Sequence, residues 1–170
     1  MLYPAPLQFH SVSLATAVIA GLATFGTIAV SLPASAMFLG WIAFGVGGPT
    51  IRDGAANLVS FLVGLGFGIS TALVIAALTP ALAALATPVA VSGVVVLVLS
   101  LRTLAPFNNP LAYFLGLTSF FYSGLMPIPS TLAILAGAGM IGAVSAAIAG
   151  LLQSAVLRTS PPVPEPCRVS

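Results

Sequence analysis

Two short segments hold most of the polar and aromatic chemistry in this sequence. Thr118, Ser119, Tyr122 and Ser123 stand among Phe114, Phe120 and Phe121 just after Gly116, and an earlier segment sets Phe38, Trp41 and Phe44 around Gly40 and Gly45. On a helix, residues four apart share a face, so Thr118 aligns with Tyr122 and Ser119 with Ser123. Hydroxyls bounded by aromatic rings can strip water from a small uncharged solute and replace part of its hydrogen bonding. These residues also have a plainer use. Ser and Thr in membrane helices often bond the preceding turn or a neighbouring helix, and Trp41 and Tyr122 suit an aromatic belt.

Other chemistry is scarce. The charges are Arg52, Asp53, Arg102, Arg158, Glu165 and Arg168, with no lysine. They supply neither paired carboxylates nor a Ser–His–Asp set, and there is no His/Cys/Asp/Glu cluster for a metal. The single cysteine, Cys167, excludes an internal disulfide or a thiolate cluster. No enzyme, metal or cofactor is expected. The arginines are scattered singly, without the basic patch and interleaved aromatics that nucleic acid requires. Apart from Arg102 at the end of the fourth, the hydrophobic runs carry no charge, which argues against a carboxylate-coupled pump. Two functions remain. One is a passive channel or facilitator for a small uncharged solute, which predicts that Thr118 and Tyr122 converge with Phe38 and Phe44 on a central cavity. The other is a non-transporting accessory subunit, with those residues facing lipid or locked in packing and the small-residue stripes exposed to a partner.

The elements that must position these residues follow from composition. The 170 residues are 59% hydrophobic and 4% charged, with a mean hydropathy of +1.21. Soluble domains carry roughly 25% charged residues, so the solvent of most of this chain is the lipid bilayer. Six transmembrane helices are predicted, over 12–31, 34–48, 55–78, 88–104, 111–125 and 130–157. The apolar stretch 79–87 reads as an extra turn of helix or an interfacial segment. Ala34-Ser35-Ala36 imitates a signal-peptidase site, but the run Val12 to Val30 is longer than a typical signal core and no lysine or arginine precedes it. It reads as a retained first helix after a segment over 1–11. Pro161, Pro162, Pro164 and Pro166 predict a disordered tail over 158–170. With six spans, Arg52, Arg102, Arg158 and Arg168 all fall on the side that holds the N-terminus. The positive-inside rule makes that side, and both termini, cytoplasmic.

The two segments repeat each other. One constant offset carries Phe38 onto Phe114, Leu39 onto Leu115, Gly40 onto Gly116, Phe44 onto Phe120 and Gly48 onto Gly124. Two halves over 12–78 and 79–157, each with an odd number of helices, must enter the membrane from opposite sides. Such inverted repeats are typical of transporter folds, in which short or interrupted segments mark the solute site. The second and fifth segments are that short, at about 22 Å of helix against a ~30 Å hydrocarbon core. The Phe-Leu-Gly segment after Ser31-Leu32-Pro33, its trailing Gly47-Gly48 and the second aromatic-Leu-Gly copy resemble the YcdZ-like bacterial inner-membrane proteins, DUF 1097, over roughly Val12 to Gln153. The resemblance implies a small bacterial inner-membrane protein with no assigned activity or site residues. Small-xxx-small pairs at Gly64/Gly68, Ala138/Gly142 and Ala146/Gly150 provide close helix packing. They serve either the fold of one chain or, through the Gly64/Gly68 or Ala146/Gly150 faces, a homo-oligomer.

Overall fold

The computed structural model describes residues 6–48 and 50–158, with side chains over 10–48 and 50–156. Cys167 and the proline-rich stretch from 159 onward lie outside the described residues, as do residues 1–5. The described elements are all helical: α1 (Pro6–Ala29), α2 (Ala34–Gly45), α3 (Ile51–Leu82), α4 (Ala86–Leu101), α5 (Pro110–Ser123) and α6 (Pro129–Arg158), with a 3-10 turn at Ala83–Leu85 between α3 and α4.

Local chemistry sets the boundaries. Thr50 caps α3 by accepting from the Asp53 amide at 3.1 Å while its hydroxyl donates to the Asp53 carboxylate, an N-cap arrangement. Arg52, Asp53 and Gly54 therefore stand in the first turn of α3. Asn109 caps α5 by accepting from Leu111 N at 3.2 Å, with Pro110 opening the helix where its missing N–H costs nothing. The 79–87 stretch resolves into the end of α3, the 3-10 turn and the start of α4. Pro80 is accommodated inside α3, and the helix stops at Ala83, whose φ is +47°.

Among the described residues, three helical stretches are long and apolar enough to cross a membrane: His10–Ala29, Ile51–Leu101 and Pro129–Val156. The middle one contains both α3 and α4, bent at the 3-10 turn. Helices α2 and α5, with 12 and 14 residues, are only about 18 and 21 Å long at 1.5 Å per residue.

The short helices are clamped by the long ones. Helix α2 packs along α6 and α5 along α3, while α1 lies on α6 and α4 on α3. Glycine makes both crossings close. A Cβ on Gly142 would run into the Met37 carbonyl, and one on Gly40 into the Gly139 carbonyl. At the other crossing, a Cβ on Gly64 would run into the Tyr113 carbonyl, and one on Gly116 into the Phe61 carbonyl. The offset that carries Gly40 onto Gly116 also carries Met37 onto Tyr113. A second offset carries Gly64 onto Gly142 and Phe61 onto Gly139. Close backbone approach yields the dispersion contacts that hold helices together where lipid removes the hydrophobic drive. Between the crossings sits Phe61, 0% exposed, in a core with Met37, Leu65, Phe120 and Leu135.

Candidate functional site

The two segments singled out in the sequence do not converge on a central cavity. Gly40 and Gly116 face the crossings, and a residue two places further along a helix of 3.6 residues per turn points to the opposite side. Phe38 is accordingly 43% exposed and Thr118 is also exposed; Tyr122, in line with Thr118, is 74% exposed. Phe121 also faces outward. Phe114 is half-buried against Val94, Val98 and Tyr113. Phe120 is in the core, edge-on to Phe121 at 5.3 Å. The Ser123 hydroxyl donates to the Phe120 carbonyl at 2.7 Å. Ser119 is buried, and its Oγ has no hydrogen-bond partner among the described residues.

Trp41 and Phe44 of α2 do line a cavity. It is a cleft of about 480 Å³ between α1, α2 and α6, within the usual size range of ligand sites. Its floor is the small-residue stripe Ala146, Ala149 and Gly150, and Thr16 of α1 borders it. Gly48, Thr50 and Gln153 stand at the end where α3 begins and α6 finishes. The Ala146/Gly150 stripe thus faces a cavity within the chain. The Gly64/Gly68 stripe is buried against Tyr113 and Phe120 of α5. Sequence reasoning placed α6 in neither site, because alanine and glycine carry no chemical signal of their own. A spacing of small residues looks the same whether a helix or a void lies over it.

Hydrogen bonding inside the cleft is uneven. The Thr16 hydroxyl donates to the Val12 carbonyl at 2.9 Å, Ser154 to the Leu151 carbonyl at 2.8 Å, and Thr50 to Asp53. Neither the Trp41 indole N–H nor the Gln153 carboxamide has a hydrogen bond among the described residues; of the described side chains that line the cleft none is charged, and the Asp53 carboxylate stands behind Thr50 at its end. Near Gly48, the buried Asn57 presses its Nδ2 toward Gly47 with no hydrogen-bond partner among the described residues.

At the other crossing, Phe120 of α5 lies on Gly68, where an added Cβ would be 2.8 Å from the Phe120 Cβ. The α2/α5 offset carries Phe44 onto Phe120, and the α3/α6 offset carries Gly68 onto Ala146 and Gly54 onto Leu132. Phe44 lays its ring on Gly54 of α3, where an added Cβ would be 2.6 Å from the ring edge. A second cavity, about 320 Å³ and almost wholly apolar, lies between α3 and α4 beside Phe67, Thr71, Val74 and Val94.

The family model described as a protein of unknown function, DUF1097, matches residues 13–152. The chain belongs to the DUF1097 family. No curated protein and no solved structure matches it. The match takes in both crossings and the whole of α2 to α5, so the cleft of this DUF1097 chain lies almost entirely inside the family region.

Proposed function

We propose that this protein is a bacterial inner-membrane facilitator for a small uncharged solute, built from two inverted three-helix repeats with six transmembrane helices and both termini cytoplasmic. The observation that carries the reading is the pair of matched crossings: Gly142 on Met37 and Gly64 on Tyr113, with Gly40 on Gly139 and Gly116 on Phe61. Two offsets generate the second set from the first, and each short helix is clamped by the long helix of the other half. An inverted duplication accounts for this pattern economically. The helices α2 and α5, too short to span by themselves, fit a bundle in which they end at cavities rather than in lipid.

Phe61 and the two glycine crossings close the centre, so the facilitator works by exposing a pocket rather than through an open pore. The pocket is the cleft of Trp41 and Phe44. The absence of charge along it suits a solute without charge, since an unpaired ion in a dry cleft is strongly penalised. Arg52, Arg102 and Arg158 fall at helix ends that connectivity brings to one side, and the positive-inside rule assigns that side to the cytoplasm.

The test is stopped-flow swelling of proteoliposomes with a panel of small neutral solutes, comparing wild type with Gly150→Leu. A Cβ at Gly150 meets nothing within 4 Å, so the substitution fills the cleft without forcing the bundle apart. Faster swelling than in empty liposomes, lost in the variant, supports the reading. Swelling equal to empty liposomes across the panel refutes it. In that case the outward side chains of Phe38, Thr118 and Tyr122 favour the second reading, an accessory subunit that packs against a membrane partner through that surface.

A further inference from the structure

The cleft has two aromatic walls and a floor of small residues. Trp41 and Phe44 of α2 stand against Ala146, Ala149 and Gly150 of α6. The Phe44 ring is anchored by Gly54 of α3, where an added Cβ would be 2.6 Å from the ring edge. At the α3–α5 crossing, Phe120 lies on Gly68 and is buried in the core.

The cleft has a definite hydrogen-bonding character. Its hydroxyls at Thr16, Thr50 and Ser154 spend their protons on Val12, Asp53 and Leu151. Among the described side chains that line it, the Trp41 indole N–H and the Gln153 carboxamide are unspent donors. A ligand that suits them offers an acceptor, carries no charge, and is thin enough to lie between an aromatic wall and an alanine–glycine floor.

We propose that the cleft binds a planar, uncharged molecule of about the size of one aromatic ring that carries a carbonyl-type acceptor, held against the Trp41 and Phe44 rings over the alanine–glycine floor. The proposal rests on the reading of the cleft as the solute pocket and names the solute's chemical class. Binding is measured separately from transport, so the two can fail independently.

Trp41 is the only tryptophan in the chain, so its fluorescence reports on the cleft directly. The experiment titrates the full-length protein in nanodiscs with benzamide, benzoate and cyclohexanecarboxamide, following Trp41 emission, with Trp41→Phe as the blank. Benzamide is expected to give a saturable change, with benzoate and cyclohexanecarboxamide weaker by roughly tenfold or more, a difference of about 1.4 kcal/mol. Gly150→Leu abolishes the benzamide response, and Gln153→Leu weakens it while leaving the starting emission spectrum in place. Circular dichroism of each variant separates loss of binding from loss of fold, and Ala149→Leu provides a second way of filling the cleft. A linear, unsaturable response overturns the proposal, as does an equal response to benzoate or one that survives both filling variants. Strong quenching of Trp41 by lipids brominated on the acyl chain, unrelieved by benzamide, overturns it as well, because the cleft then holds lipid. Saturable benzamide binding without any solute flux would leave the binding site standing and remove the facilitator function.

Discussion

Gly142 of α6 meets the main-chain carbonyl of Met37 on α2 with no room between them for a Cβ. The counterpart pair, Gly64 of α3 and Tyr113 of α5, is arranged in the same way. Alanine at either glycine must push two backbones apart and forfeit contacts along the whole crossing. Gly142→Ala and Gly64→Ala should each destabilise the fold by about 1–3 kcal/mol, the usual cost of overpacking, despite alanine's better helix propensity. Gly66 and Gly93 are also within helices, but a Cβ there meets nothing within 4 Å. Gly66→Ala and Gly93→Ala should be neutral or gain up to about 1 kcal/mol. Thermal unfolding in detergent, read by circular dichroism, checks both pairs.

Two buried polar groups align with apolar residues. The offsets that relate the crossings carry Ala43 onto Ser119 and Asn57 onto Leu135. The Ser119 Oγ and Asn57 Nδ2 have no hydrogen-bond partner among the described residues, while Ala43 and Leu135 are fully buried. Removing an unsatisfied buried group relieves a desolvation penalty of about 1–3 kcal/mol. Ser119→Ala is therefore expected to hold or raise the melting temperature, and Asn57→Leu to do the same. A marked fall for Asn57→Leu alone would mean that the amide is engaged in the protein's working state near Gly48.

The outward position of Thr118 and Tyr122 separates them from the cleft. Thr118→Val and Tyr122→Ala should leave solute-driven swelling of proteoliposomes within about twofold of wild type, since surface changes away from special features stay within about 0.5 kcal/mol. Ala149→Leu, on the cleft floor, should suppress it. Swelling that falls with Thr118→Val and survives Ala149→Leu would move the path of the solute to the outer face of α5.

The helices were legible because hydrophobic runs punctuated by proline are a strong signal, and Pro33, Pro110 and Pro129 do stand at or beside helix starts. Gly40 and Gly116 also stand out in the sequence, but a short aromatic segment around a glycine suits a solute site and a tight crossing equally. What separates the two is the partner. Met37, Gly139, Tyr113 and Phe61 contribute backbone carbonyls, and nothing in a side-chain pattern announces which carbonyl a distant glycine will meet. The hydroxyl cluster of α5 was misleading for a related reason. Thr118 and Ser119 are neighbours in sequence, yet one faces out and the other in, and the face was fixed by Gly116.

The difference between Phe44 and Phe120 yields the last prediction. If Ala146 keeps the α2–α6 crossing open where Gly68 lets α3–α5 close, exchanging these residues should shift the two sites in opposite directions. Ala146→Gly removes a methyl group from the cleft floor, and Gly54→Leu removes the seat that now holds the Phe44 ring. The double variant should bring Phe44 over residue 146, shrink the cleft and protect Trp41, with acrylamide quenching reduced by about threefold or more, on the order of 0.6 kcal/mol of differential access. Gly68→Ala should instead press on the Phe120 Cβ, only 2.8 Å from where the new methyl group would sit, and destabilise the fold by about 1–3 kcal/mol with no change at Trp41. Unchanged quenching in a folded Ala146→Gly/Gly54→Leu protein would show that the cleft is held open by the α1–α6 contact rather than by the seating of the Phe44 ring.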